Sequence, residues 1–306
     1  MRRDLISIDD LTLAELNDYL GFAARVESMS ETDKVTLLRG KVLAVMFFEP
    51  STRTRLSFET AMQRLGGGVV GFSDILATSV KKGESFLDTI RTVECYSDVL
   101  VCRHPKEGTA RLATEVSRIP VINAGDGTNQ HPTQTLLDLY TLQKFFGKID
   151  GLKISFAGDL KYSRTVHSLL HALMKYEGVE FILASPELLE LPEYLKLEAR
   201  RRGHTLHETR DLMEAVRGAD CLYMTRIQQE RFPDPIEYDM VKGAYVLNAA
   251  MLRGCPAHFK VLHPLPRLNE IATDVDATRH AGYFEQVLNG VYMRQAILLD
   301  VLEVTL

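Results

Sequence analysis

Residues Lys41–Gly68 read KVLAVMFFEPSTRTRLSFETAMQRLGGG, and this stretch decides the fold class. Lys41–Phe48 is a strand-sized apolar run. Pro50 and Ser51 then break it, and Thr52–Leu65 carries a helical pattern that Gly66, Gly67 and Gly68 stop. A strand turning straight into a helix is the repeating unit of α/β proteins.

The same alternation extends outward from this unit. Upstream, Asp10–Ser28 reads as an amphipathic helix, with Thr12 and Glu15 spaced as a capping box. Downstream, strand signals fall at Val69–Phe72, Val99–Cys102 and Val121–Ala124, and helix signals at Ser85–Tyr96 and Thr109–Val116. After a long helix, Thr133–Phe146, the pattern restarts. Strands are expected at Lys153–Ala157, Phe181–Ala184, Cys221–Thr225, Tyr245–Asn248 and Val261–His263. Helices are expected at Arg164–Lys175, Glu193–Arg202, Asp211–Val216 and Tyr283–Val301. The expected class is therefore α/β, with two doubly wound parallel-sheet domains joined by bridging helices. Residues 1–132 with 289–306 are assigned to one domain, and 133–288 to the other.

Composition narrows the function. The chain has 306 residues, 45% hydrophobic and 25% charged, enough for a full core in each half. A net charge of −5, from 41 acidic and 36 basic side chains, argues against a broad nucleic-acid or anionic-membrane surface. A small anion held by a few local arginines remains compatible with it. The N-terminus has no apolar stretch behind its arginines, and no run approaches the ~18 residues that span a bilayer, so a cytoplasmic protein is expected. Cys95, Cys102, Cys221 and Cys255 form no C-x-x-C pair, and inert thiols are the expectation.

In parallel sheets, ligands sit beyond the carboxyl ends of strands. The segments at those places are rich in Ser, Thr, Arg, His and Gly. Ser51-Thr52-Arg53-Thr54-Arg55 crowds hydroxyls and backbone N–H groups onto one helix N-terminus, where the dipole adds about half a positive charge. That suits a phosphate, although Ser and Thr are also the commonest ordinary caps. Arg53 and Arg55 cannot share a face, so only one should meet an anion. Thr78–Glu84 is a polar loop with Lys81 and Lys82, solvated on its own reading. Arg103-His104-Pro105 and the stretch Asn123–Gln134, with His131 and Gln134, follow two further strands. In the second half, Gly158–Arg164, Thr225-Arg226-Ile227-Gln228 with Arg231, and His263-Pro264-Leu265-Pro266-Arg267 do the same. Arginines there suit carboxylate capture, with surface ion pairing as the plainer alternative. His167 and His171 have metal-ligand spacing but no third ligand, so a packed helix face is the better reading.

Taken in order, Ser51–Arg55, Arg103-His104-Pro105, His131-Pro132-Thr133-Gln134 and His263–Pro266 are similar to the motif set of the aspartate/ornithine carbamoyltransferase superfamily. Gly158–Tyr162, Arg164–Ser168 and Tyr223–Gln228 resemble its aspartate branch. The ornithine branch carries His-Cys-Leu-Pro, with cysteine at the place of Pro264.

The resemblance implies a transferase that joins the carbamoyl group of carbamoyl phosphate to the α-amine of aspartate, in pyrimidine biosynthesis. It implies that Ser51, Thr52, Arg53 and Thr54 hold the phosphate and that Thr54, Arg103 and His131 donate to the carbonyl oxygen. Gln134 would hold the carbamoyl amide, and Leu265 and Pro266 would meet the same substrate. Arg164, Arg226 and Gln228 would bind aspartate, with Ser79 and Lys82 reaching in from a neighbouring subunit of a homotrimer. The first domain would be the carbamoyl phosphate-binding one, the second the aspartate-binding one, with closure excluding water. No metal or organic cofactor is expected, and attached regulatory chains are left open. The competing readings are an ornithine-type enzyme, an inactive assembly subunit, and a dinucleotide-binding oxidoreductase. The last would need a G-x-G-x-x-G directly after the first strand, and none follows it there.

Overall fold

A computed structural model describes residues 3–73, 79–229, 232 and 234–306. The chain forms two compact units, Met1–Tyr140 with Leu288–Leu306, and Thr141–Val287. It crosses between them inside the Pro132–Phe146 helix and returns inside the Tyr283–Val301 helix.

The first unit holds four parallel strands, β1 (Val42–Phe47), β2 (Gly68–Phe72), β3 (Val99–His104) and β4 (Val121–Asp126), in the order β2-β1-β3-β4. The apolar run of β1 is almost wholly buried because it is a central strand, packed on both faces. Met46 and Phe48 join Leu100, Cys102, Val121, Ile90 and Ala113 in one core cluster. The helix that follows β1, Thr52–Arg64, closes through Leu65 into Gly66 at φ +85. A Cβ on Gly66 would stand 1.9 Å from the Val35 carbonyl oxygen, so no other residue fits that turn. Upstream, the capping box forms as spaced. Thr12 Oγ1 accepts from the Glu15 amide at 3.2 Å, and Glu15 Oε2 accepts from the Thr12 amide at 2.7 Å.

The second unit holds five parallel strands in the order β7-β6-β5-β8-β9. They are β5 (Lys153–Ala157), β6 (Glu180–Ala184), β7 (Thr205–Thr209), β8 (Cys221–Met224) and β9 (Lys260–Leu262). Its core runs from Ala157, Leu222 and Met224 to Phe259, Val261 and Tyr283.

Several elements depart from the sequence reading, the short Glu31–Lys34 helix among them. β7 was not anticipated, because it is an edge strand whose residues are mostly exposed and polar, with no apolar alternation. The Pro235–Val241 helix was also missed. Tyr245–Asn248 is not a strand. Only Leu247 pairs, bridging in parallel to Ile271, with Leu247 N–H on Glu270 O and Ala272 N–H on Leu247 O. The free edge of β9 is already taken by His280 and Gly282, which bond Val261.

All four cysteines are free thiols, and burial pushes Cys102 up to about 12. Among the described residues, no helix is long and apolar enough to cross a membrane.

Candidate active site

Each sheet reverses its winding direction once. In the first unit this switch lies between β1 and β3, which pair Phe47 with Arg103; in the second it lies between β5 and β8, which pair Ala157 with Met224. Ligands of doubly wound sheets bind beyond the strand ends at that point. Four of the motifs singled out by sequence fall there, two at each switch.

At the first switch, Ser51 starts the Thr52–Arg64 helix in an extended conformation, and its hydroxyl makes no capping hydrogen bond. Ordinary capping is therefore not what this serine does, and the helix presents its first-turn amides at the end of β1. Thr54 is buried in that turn, while Thr52 and Arg53 are exposed. Arg55 is turned along the helix, with Nε on Glu59 at 2.6 Å and Nη1 on Ser73. Arg55 is thus engaged in structure.

Arg103, at the end of β3, is 8% exposed. Its Nη2 donates to Glu49 Oε1 at 2.9 Å and its Nη1 to the Ala124 carbonyl at 3.1 Å. The guanidinium therefore ties the ends of β1 and β4 together. His104 beside it faces inward. Its Nδ1 accepts from the Lys106 amide at 3.0 Å, and its ring packs on Phe48 and Phe86. Burial, then the Lys106 charge, hold it below the usual histidine range, so it is neutral near pH 7.

The glycine-rich loop after β4 is organised by a residue that sequence reasoning did not single out. Asp126 is buried and accepts from the Gly108 and Gln130 amides and from the Asn123 and Asn129 side chains, at 2.8 to 3.1 Å. A carboxylate with that many donors fixes the loop that delivers His131 and Gln134 to the start of the next helix. The clue in the sequence was Asn123-x-x-Asp126-x-x-Asn129, a run of short polar side chains built to bond nearby backbone. His131 is buried, with Thr133 Oγ1 3.5 Å from its Nδ1. Gln134 is buried and donates from Nε2 to Asp138 Oδ1 at 2.9 Å. Ser79–Lys82 is a 3-10 helix with Lys81 and Lys82 exposed. Thr78, the Ser79 side chain and Arg231 lie outside the described residues.

At the second switch, Gly158 lies at φ +115, and a Cβ there would stand 2.3 Å from the Thr225 carbonyl oxygen. The ends of β5 and β8 approach that closely only because the residue is glycine. Thr225 Oγ1 lies 3.2 Å from the Ala157 carbonyl and 3.3 Å from that of Asp159, clasping the two strand ends. This brings Arg164, first residue of the Arg164–Leu173 helix, and Arg226 with Gln228 onto one switch. Arg164 is buried, and Arg226 and Gln228 are half-buried. His167 bonds the Leu160 carbonyl through Nε2 at 2.8 Å, fastening the loop to the helix. Burial, above all, holds it below the usual histidine range.

The His263–Arg267 segment leaves β9, next to β8. Leu265 adopts φ +55 and precedes a cis bond to Pro266. His263 holds this turn. Its Nδ1 accepts from the Leu265 amide at 2.8 Å, and its Nε2 bonds Glu270 Oε1 at 2.8 Å. Glu270 Oε2 accepts from the Leu268 and Asn269 amides at 3.0 and 3.2 Å. Burial raises the Glu270 carboxyl, but the bond and charge of His263 and the Glu270 and Leu268 amides outweigh it and leave the group below the usual range. Arg267 takes the plainer reading, paired with Asp276 and bonded to Tyr283 Oη.

The chain is thus a two-unit α/β protein of the kind that carries an uncapped helix start at one switch point and arginines at the other. The family model "Aspartate/ornithine carbamoyltransferase, carbamoyl-P binding domain" matches residues 3–144, and "Asp/Orn binding domain" of the same family matches residues 150–301. The chain belongs to the aspartate/ornithine carbamoyltransferase family. It is 58% identical over 297 residues to the aspartate carbamoyltransferase catalytic subunit of Thermococcus gammatolerans, covering 97% of this chain and 96% of that one. The crystal structure of the catalytic subunit of Methanocaldococcus jannaschii aspartate transcarbamoylase superposes with a TM-score of 0.92 at 50% identity, covering 99% and 98% of the two chains. Trypanosoma cruzi aspartate transcarbamoylase, solved with N-(phosphonacetyl)-L-aspartic acid, superposes with a TM-score of 0.91 at 38% identity, covering 99% of this chain and 96% of that one.

Proposed function

We propose that this chain transfers the carbamoyl group of carbamoyl phosphate to the α-amine of L-aspartate, the aspartate carbamoyltransferase reaction. The products are N-carbamoyl-L-aspartate and phosphate, placing the step in pyrimidine biosynthesis. The observation that carries the reading is the uncapped helix start at Ser51 beside Arg103, on the paired ends of β1 and β3. Relatives 50% to 59% identical over almost the whole chain, named aspartate carbamoyltransferase catalytic subunits, support it.

In this reading the first part of the chain, 1–132 with 289–306, takes carbamoyl phosphate, and 133–288 takes aspartate. Ser51, Thr52, Arg53 and Thr54 bind the phosphate through hydroxyls, first-turn amides and one guanidinium. Arg103 joins them by exchanging Glu49 for the incoming dianion. The exchange keeps the buried guanidinium paired throughout, which matters because an unpaired buried charge is costly.

As the amine of aspartate attacks, charge builds on the carbonyl oxygen. Thr54, Arg103 and His131 donate to it from fixed positions, so little reorganisation is needed. His131 serves while neutral if Nε2 carries the proton, the tautomer that a hydroxyl proton from Thr133 on Nδ1 favours. Arg164 and Arg226, with Gln228, clamp the two carboxylates, while Leu265 and Pro266 meet the substrate through a turn that His263 holds rigid. Ser79 and Lys82 complete a site shared between subunits of a homotrimer in the cytoplasm.

The test is direct. Purified protein, without added metal, is given carbamoyl phosphate with aspartate or with ornithine. Carbamoyl aspartate is the expected product; turnover with ornithine and none with aspartate would refute the reading.

A further inference from the structure

Gln134 has an amide with a donor end and an acceptor end, and Asp138 decides which end faces which way. The two residues are one helical turn apart, and Gln134 Nε2 donates to Asp138 Oδ1 at 2.9 Å. Asp138 is fully buried. Asp138 Oδ1 accepts, so it takes the NH2 end of the amide and turns the carbonyl oxygen the other way.

A buried arginine lies within electrostatic reach of Asp138. Arg294, on the Tyr283–Val301 helix, is 3% exposed. Burial holds its guanidinium down at about 10, and the Asp138 charge opposes that shift. Arg294 Nη1 donates to Ser57 Oγ at 3.1 Å and to the Gly290 carbonyl at 3.2 Å, and the guanidinium lies 5.2 Å above the Phe58 ring. A Cβ on Gly290 would come within 2.7 Å of Arg294 Nη1, so the glycine makes room for it. Ser57 and Phe58 belong to the helix that begins with the Ser51–Thr54 turn. Arg294 thus packs the Tyr283–Val301 helix against the Thr52–Arg64 helix, and the bond from Gln134 Nε2 to Asp138 Oδ1 holds Gln134 in one orientation.

We propose that Asp138 is a specificity-determining residue that acts through Gln134, presenting Gln134 Oε1 as an acceptor that selects the NH2 of a carbamoyl group against the CH3 of an acetyl group. This rests on the assignment of Gln134 to the carbamoyl end of the substrate. A carbamoyl NH2 is a pure donor and matches a fixed acceptor. A methyl group leaves that acceptor desolvated and unmet, which is how a hydrogen-bonding site rejects an analogue lacking the polar group. If the amide could flip, its NH2 would face the substrate instead, and the preference would fade.

The experiment compares the wild type, Asp138→Asn, Gln134→Leu and the double variant. The readout is the ratio of the acetyl phosphate inhibition constant to the carbamoyl phosphate dissociation constant, with inorganic phosphate inhibition as the control. Asn offers both a donor and an acceptor, so the Gln134 amide is released. The expected result is a ratio lowered about tenfold in Asp138→Asn. Phosphate inhibition stays within about twofold of the wild type, the Gln134→Leu loss is similar, and the double variant loses nothing more. An unchanged ratio in folded Asp138→Asn overturns the proposal. So does an equal fall in phosphate affinity, or additivity in the double variant.

If Asp138→Asn does not fold, the wild type decides, labelled with 15N at glutamine side chains. One Gln134 Nε2 proton, identified by its loss in Gln134→Leu, should be shifted downfield and slow to exchange. Exchange of both protons at the rate of a free amide overturns the proposal. A wild type that never forms carbamoyl aspartate brings down the functional reading itself, whereas normal turnover with an unaltered ratio brings down this inference alone.

Discussion

Glu270→Gln is a change of one atom that should undo the His263–Arg267 turn. Glu270 is buried and accepts three hydrogen bonds, from His263 Nε2 at 2.8 Å and from the Leu268 and Asn269 amides at 3.0 and 3.2 Å. In the variant one of the two oxygens becomes an NH2 group. If it faces Leu268 and Asn269, two backbone donors meet a donor. If it faces His263, that ring must shift its proton from Nε2 to Nδ1, and Nδ1 can then no longer accept from the Leu265 amide.

Either way one charge-assisted bond is lost and a part-buried backbone donor loses its partner, a cost of about 1–2 kcal/mol. The second route also releases Leu265, whose φ of +55 costs a non-glycine residue about 1 kcal/mol and holds only while its neighbours impose it. The assay is a urea titration for stability together with kcat and KM for aspartate. We expect a lower midpoint with an unchanged m-value, and a fall in kcat at temperatures where the variant is fully folded. A stability loss below about 0.5 kcal/mol, or full kcat alongside the expected loss, would refute the claim that this latch holds Leu265 for the substrate.

Three further outcomes follow from the same geometry. Because the folded Glu270 carboxyl lies below its usual value of 4.5, its contribution is present above that pH and is lost as pH falls below it. The gap in urea midpoint between wild type and Glu270→Gln should therefore be wide at pH 6 and shrink below about pH 4.5; a gap independent of pH would contradict the latch. Arg53→Ala should lower turnover by about 10²-fold or more while leaving the melting temperature within a few degrees, since Arg53 is exposed and the proposed reading gives it to the phosphate; near-normal activity argues against that role. Inactive Arg53→Ala and Lys82→Ala chains, dissociated and reassembled together, should regain part of the activity if the site is shared between subunits, and none if it is not.

Much of the fold was legible because burial writes itself into local patterns. The continuous apolar run of β1 is what a central parallel strand requires, and Thr12 with Glu15 formed the box their spacing announced. β7 was illegible for the converse reason, since an edge strand of Thr, His and Glu side chains carries no apolar period. Tyr245–Asn248 misled because tyrosine and valine favour strands, yet whether they enter a sheet depends on an edge being open. Asp126 and Glu270 went unnoticed because their roles consist of hydrogen bonds to partners that local pattern cannot reveal.

What the sequence alone determined is the alternation of strands and helices, the placement of Ser51–Arg55, Arg103, His131, Arg164 and Arg226 just past strand ends, and the family those motifs resemble. Strand order was decided by tertiary structure, and with it which motifs share a switch point: β1 beside β3, and β5 beside β8. The same holds for the pairing of Arg55 with Glu59 and of Arg267 with Asp276. Periodicity and end signals are local and can be read along a chain. Pairing in a parallel sheet joins residues dozens of positions apart, and only the packed core selects among the possible orders.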